Sequence, residues 1–167
     1  EDGYGSALTQ AVLLFYWSYM GHVWGHQVSA HFPFNIIQTH VSFHHGELKY
    51  VPRWFEIMVE AINNFMGFIS IYLLHAIVGI KLFNLKIILY SGFLYTGVHI
   101  FYYTILTDNK YHQVHHGNPS YNYSPELLDI IFNTKKYDEN YEKLSLIHQT
   151  IPALLSYHLV KYIFKFL

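Results

Sequence analysis

No aspartate, glutamate, lysine or arginine occurs between Asp2 and Glu47, and the same holds for residues 61–80 and 87–107. Each of the last two intervals has about the 20 residues that a helix needs to cross a hydrocarbon core. Charged residues make up 13% of the chain, whereas soluble domains carry about 25%. These stretches predict an all-α, membrane-embedded helical bundle. A fourth interval, residues 144–160, is shorter and contains Pro152, which predicts a kinked or interfacial helix. With 167 residues and no linker-like segment, residues 1–167 form a single domain. The chain starts at Glu1-Asp2-Gly3-Tyr4 without methionine and without a basic segment ahead of an apolar one. No signal peptide is visible there, and a fragment or a trimmed protein is expected.

Ten of the 13 histidines fall in or near two clusters. Tyr111-His112-Gln113-Val114-His115-His116 places imidazoles at i, i+3 and i+4, which is one face of a helix. His40-Val41-Ser42-Phe43-His44-His45 repeats the pattern with one more residue of spacing. Upstream, Gly21-His22-Val23-Trp24-Gly25-His26 superimposes two glycines four apart on two histidines four apart. The glycines let another helix approach, and His22 and His26 share a face beside that contact. An imidazole in lipid is costly without a partner, so packing alone does not account for these two. His31 joins the same group only if the helix ends near it, and Phe32-Pro33 supplies the break.

The order of segments predicts where the clusters lie. Residues 35–45 read as a short helix carrying the first doublet, and residues 47–60 as an amphipathic surface helix with Trp54 as anchor. Residues 61–80 and 87–107 then form a helical hairpin closed by residues 81–86. The first span leaves the side of His40, His44 and His45, and the second returns to it just before His112. Lys49, Arg53, Lys110, Lys135, Lys136 and Lys143 belong to that side, against Lys81 and Lys86 opposite, so the positive-inside rule makes it cytoplasmic. His99 lies about 12 Å into the membrane, within reach of a site at the helix ends. His75 sits near the far turn and is expected to be a packed or hydrogen-bonding residue. Beyond the second doublet, residues 117–125 are turn formers and residues 125–132 a short helix ended by Asn133. Residues 135–143 read as charged and solvated.

Many imidazoles with few carboxylates select iron, copper or zinc over magnesium or calcium. Ten donors exceed what one ion needs and suit two, so a dinuclear centre at the cytoplasmic helix ends is expected. Glu47 and Asp108 are placed to orient imidazoles from outside the ligand set. The chain lacks cysteine, which excludes disulfides and thiolate ligands, and its net charge of −1 argues against a nucleic-acid partner. It also lacks a His-Glu-x-x-His protease motif, a dinucleotide-binding glycine motif, a Walker loop and paired Glu-x-x-His motifs. An iron pair held by histidines can use dioxygen to remove hydrogen from an unactivated carbon. The electrons would come from an external donor protein, since no second redox group is present in the sequence.

The pattern resembles the fatty acid hydroxylase and sterol desaturase superfamily of membrane di-iron enzymes over residues 19–134. His26 with His31, then His40, His44 and His45, resembles its first two histidine boxes, and His112, His115 and His116 match the third. His99 fits the lone histidine of the preceding span. Asn122-Tyr123-Ser124, followed by Leu128-Asp129-Ile130-Ile131-Phe132-Asn133-Thr134, is similar to the family's Asn-Tyr-Gly and Trp-Asp-x-x-Phe-Gly-Thr. Gln27, Ser124, Leu128 and Asn133 depart from the family's arginine, glycine, tryptophan and glycine.

The resemblance implies His26, His31, His40, His44, His45, His99, His112, His115 and His116 as ligands, with His22 a tenth. It further implies two iron ions, replaceable by zinc on isolation, and hydroxylation or desaturation of a fatty acid, sterol or carotenoid. The enzyme would sit in the endoplasmic reticulum membrane if eukaryotic, and this chain would be its catalytic core without leading transmembrane helices. Two other readings are a membrane electron carrier with haem held by His22, His75, His99 and His158, and an inactive metal-binding remnant.

Overall fold

Among the described residues, the spacing of apolar and polar side chains resolves into six helices. The structure is a computed structural model and describes residues 4–28, 52–101, 110–136 and 146–166. Helix α1 is Tyr4–Val28, α2 Arg53–Val78, α3 Leu85–Val98, α4 Lys110–Gly117, α5 Glu126–Ile131 and α6 Leu146–Phe166. No strand occurs among the described residues, so the all-α expectation holds. The proposed helix over residues 35–45 lies outside them.

Helix α2 corrects the sequence reading at Glu60. A surface helix ending there and a separate span beginning at Ala61 were expected, but Arg53–Val78 is uninterrupted. Its start carries Glu56 in the first turn, where a negative charge favours the helix dipole, and Arg53 pairs with it at 2.7 Å. Its end is set by Gly79, whose φ of 74° needs a residue without a Cβ and whose N–H donates to His75 O. This helix is long and apolar enough to cross a bilayer. Asn84 then caps α3 by accepting from Lys86 N at 2.9 Å. Past Val98 the helix widens into a π-helical turn over residues 99–101, a form that is frequent at functional sites.

The α2–α3 hairpin is the centre of the bundle, with α1 against both helices and α6 against α3. Leu14, Phe68, Ile71, Ile88 and Tyr95 are buried between these helices. Phe68 meets Phe15 edge-on at 5.9 Å and Tyr95 at 5.6 Å. Elsewhere large apolar side chains point outward, including Leu8, Trp54, Ile77, Leu155 and Tyr162.

Close packing in the hairpin depends on Gly92. A Cβ there would lie 3.0 Å from two ring carbons of Phe65 and 3.3 Å from Phe68 Cβ. Phe65 is itself stacked on Phe93 at 4.7 Å, so it has little room to yield. Gly92→Ala is expected to destabilise the protein by about 1–3 kcal/mol, read as a lower midpoint of detergent-induced unfolding by circular dichroism.

The two ends of the bundle are distinct. Asn84 N donates to Gln10 Oε1 at 2.7 Å, which joins the start of α1 to the hairpin turn. Lys86 Nζ lies 5.0 Å from the Phe164 ring, so the end of α6 is there too. Lys161 and Lys165 therefore join Lys81 and Lys86 at the turn end, and the lysine asymmetry expected from sequence is much reduced. Helix α6 runs through Pro152 as one element and extends beyond the interval expected for it. At the other end, Asn133 adopts φ 56° as expected, and Ser124 adopts φ 65°. Lys135 is buried and paired with Glu126, so the solvated reading fails for that residue.

Candidate metal centre

The end of the bundle opposite the hairpin turn gathers histidines from three helices. His22 and His26 are one turn apart on α1, and their Nε2 atoms lie 3.2 Å from each other. His115 of α4 brings its own Nε2 to 3.2 Å from that of His26. The three donor atoms all lie within 4.8 Å of one another. Two imidazoles bound to one ion at 2.0–2.1 Å place their nitrogens roughly 3.0–3.4 Å apart, and the His22–His26 and His26–His115 separations both have that spacing.

Hydrogen bonding alone explains this contact less well. His115 Nδ1 lies 2.7 Å from Tyr121 O, and because a carbonyl only accepts, Nδ1 carries the proton. In neutral His115 the Nε2 then presents a lone pair toward His26. A single proton on His26 Nε2 cannot be aimed at both His115 and His22, whereas one cation accepts all three lone pairs.

The segment after α4 holds Tyr121 in place. Asp129 is fully buried and accepts from Tyr123 N at 3.0 Å, Ser124 N at 2.7 Å and Thr134 Oγ1 at 2.6 Å. Asn122 Oδ1 accepts from Lys136 N at 3.0 Å, and Asn122 N donates to Thr134 O. Residues 121–136 are thus tied into one buckle. Tyr19 of α1 docks it, with its hydroxyl 2.6 Å from Thr134 Oγ1 and its ring stacked on Phe132 at 5.4 Å. The Tyr123 ring walls the histidines, at 5.6 Å from His22, 5.9 Å from His26 and 5.3 Å from His115. Burial, with the Asp129 charge added, pushes the Tyr123 phenol above its ordinary pKa, so this wall stays neutral.

A second set of rings continues from the first. His112 and His116 are one turn apart on α4 with Nε2 atoms 3.0 Å from each other. The His112 ring lies 5.0 Å from His99 and 5.8 Å from His115. Glu60 of α2 completes this side, its Oε1 2.9 Å from His99 Nε2, with both side chains almost wholly buried. Asn64 Nδ2 donates to the same oxygen at 2.8 Å. Sequence reasoning missed Glu60. The available signal was its position, about as far before Gly79 as His99 is after it, which makes the two face each other across an antiparallel hairpin.

An apolar groove of about 710 Å³ runs between α1 and α2 and reaches His22. Trp17, Met20, Trp24 and Met66 line it, with Asn63 at its polar margin. Gly21 also lines it, and a Cβ there would meet nothing within 4 Å among the described residues. Among the described residues, the expected close helix contact at Gly21 is therefore replaced by open space.

His22, His26, His99, His112, His115 and His116 are brought together, and His22 belongs to the tightest group. His31, His40, His44 and His45 lie outside the described residues, as do Glu47 and Asp108. His75 sits at the turn end, where Nε2 accepts from Leu82 N at 3.3 Å and the ring stacks on Phe83. It closes the hairpin and stands about 20 Å from His99 by helix rise. His158 is exposed on α6. Of the four histidines of the haem reading, His75 and His158 thus lie apart from the cluster.

Comparison with protein-family models, curated proteins and solved structures gives no match.

Proposed function

We propose that this chain is a membrane di-iron oxidoreductase that uses dioxygen to hydroxylate or desaturate a lipid. The observation that carries the reading is the convergence of His22, His26 and His115 at metal-ligand spacing, at the end of an apolar groove. His22, His26 and His115 would hold one ion, and His99, His112 and His116 contribute to a second. His31, His40, His44 and His45 complete the set in this reading, which agrees with the family resemblance. Iron bound there supplies the redox chemistry that activates dioxygen toward an unactivated carbon; zinc in its place would be inert.

The protein's own residues bind and exclude. The Trp17, Met20 and Met66 side chains offer an apolar chain a dry path between two helices, and its reacting carbon stops at His22. Tyr123 and the buckle close the opposite side, keeping bulk water from the histidines. Hydroxylation consumes one dioxygen, two electrons and two protons and yields an alcohol and one water; desaturation takes the same inputs and yields an alkene and two waters. An external electron donor supplies the electrons. The reading sets the helix within an integral membrane bundle with the site end on the cytoplasmic side, where such donors are reduced; the lysine distribution does not decide between the two sides.

The test is turnover. Chain purified in detergent, loaded anaerobically with iron(II) and given a chemical reductant is expected to consume oxygen only when a lipid substrate is added. Label from isotopic dioxygen should appear in a hydroxylated lipid, or a double bond should form. A sharp Soret band with no lipid-dependent oxygen uptake would instead support haem.

A further inference from the structure

We propose that Glu60 is an oxygen ligand of the ion held by His99, so that the centre is a mixed carboxylate–histidine one. The inference rests on the metal reading above and assigns it a residue that the histidine pattern does not contain.

Three observations converge. Glu60 Oε1 is 2.9 Å from His99 Nε2, close to the 3.0 and 3.2 Å that relate the histidine pairs. Donor atoms sharing one ion at about 2.1 Å from it have this spacing. Glu60 and His99 are 2% and 1% exposed, and Glu60 lies inside a helix long enough to span a bilayer. A carboxylate there needs a compensating positive charge, and intramembrane acids are rare unless they serve a site. Finally, the Asn64 amide holds Oε1 at 2.8 Å, which fixes the carboxylate toward His99 before any ion arrives.

An anionic oxygen donor has chemical consequences. It favours a harder ion such as iron(II) relative to the preferences of an all-imidazole site. It also lowers the net charge of the site, which a buried pair of divalent ions requires more than an exposed pair does.

The full chain, stripped of metal in detergent, is titrated anaerobically with iron(II) and separately with zinc(II) against a competing chelator. Glu60→Gln keeps the side-chain shape and an oxygen for Asn64. It is expected to remove one bound iron from the titration, a larger loss than the roughly 10–100-fold weakening that follows loss of an outer-shell partner, and to weaken zinc less. Glu60→Asp, which retains the carboxylate, should recover part of the iron affinity. Wild-type iron affinity in the Gln variant, or an Asp variant no better than the Gln variant, would overturn the assignment. A wild-type chain that binds neither metal removes the metal reading itself, and so differs from failure of Glu60 alone.

Discussion

Replacing His115 with alanine is expected to abolish product and to remove one of the bound metal ions, whereas His75→Ala leaves both near wild-type values. His115 is fully buried and links both groups of rings, facing His26 on one side and His112 on the other. Its loss deletes the buried member of the His22, His26 and His115 group and breaks the link to the second set of rings, so the ion held there loses a donor that its coordination needs. His75 carries the same side chain in an equally apolar helix, but its Nε2 is occupied by Leu82 N at the far end of the bundle. Metal content by mass spectrometry and lipid products by chromatography measure the contrast. Equal effects from the two substitutions would remove the assignment of the site.

The second large effect is expected at Asp129. Asp129→Ala deletes the acceptor for two backbone N–H groups and the Thr134 hydroxyl, all in the interior of the buckle. Leaving such donors buried without an acceptor costs about 3–5 kcal/mol in total, which thermal unfolding followed by circular dichroism would register as a lower midpoint. The same change frees Tyr121, whose carbonyl orients His115. Metal affinity should therefore fall with stability, although Asp129 lies outside the ligand set. Asp129→Asn keeps one acceptor oxygen and should fall between the two. A variant that loses stability but keeps full metal affinity would separate the buckle from the site.

The comparison of sequence and structure turns on how local each signal is. His112, His115 and His116 were legible because helical geometry alone puts i, i+3 and i+4 on one face. His22 and His26 were legible for the same reason, and the hairpin followed from two charge-free intervals separated by lysines. Asn133 was readable because asparagine tolerates positive φ. Glu60 was not readable, because its role depends on which residue of another helix it meets. It looked like the last charge of a surface helix, and only the pairing with His99 turns it into part of the interior. Lys135 is the same case: within a charged segment it looked solvated, and its pairing with Glu126 is set by how α5 folds back. Gly21 shows a third kind of ambiguity, since a small residue signals either close packing or a groove, and no local pattern tells them apart.

X-ray absorption at the iron edge of the reconstituted chain addresses the central claim most directly. The account predicts retained iron with an imidazole shell near about 2.1 Å and an iron–iron vector at roughly 3.5–4 Å, both degraded in His26→Ala. Iron that washes away on desalting, or a spectrum without imidazole scattering, would contradict it.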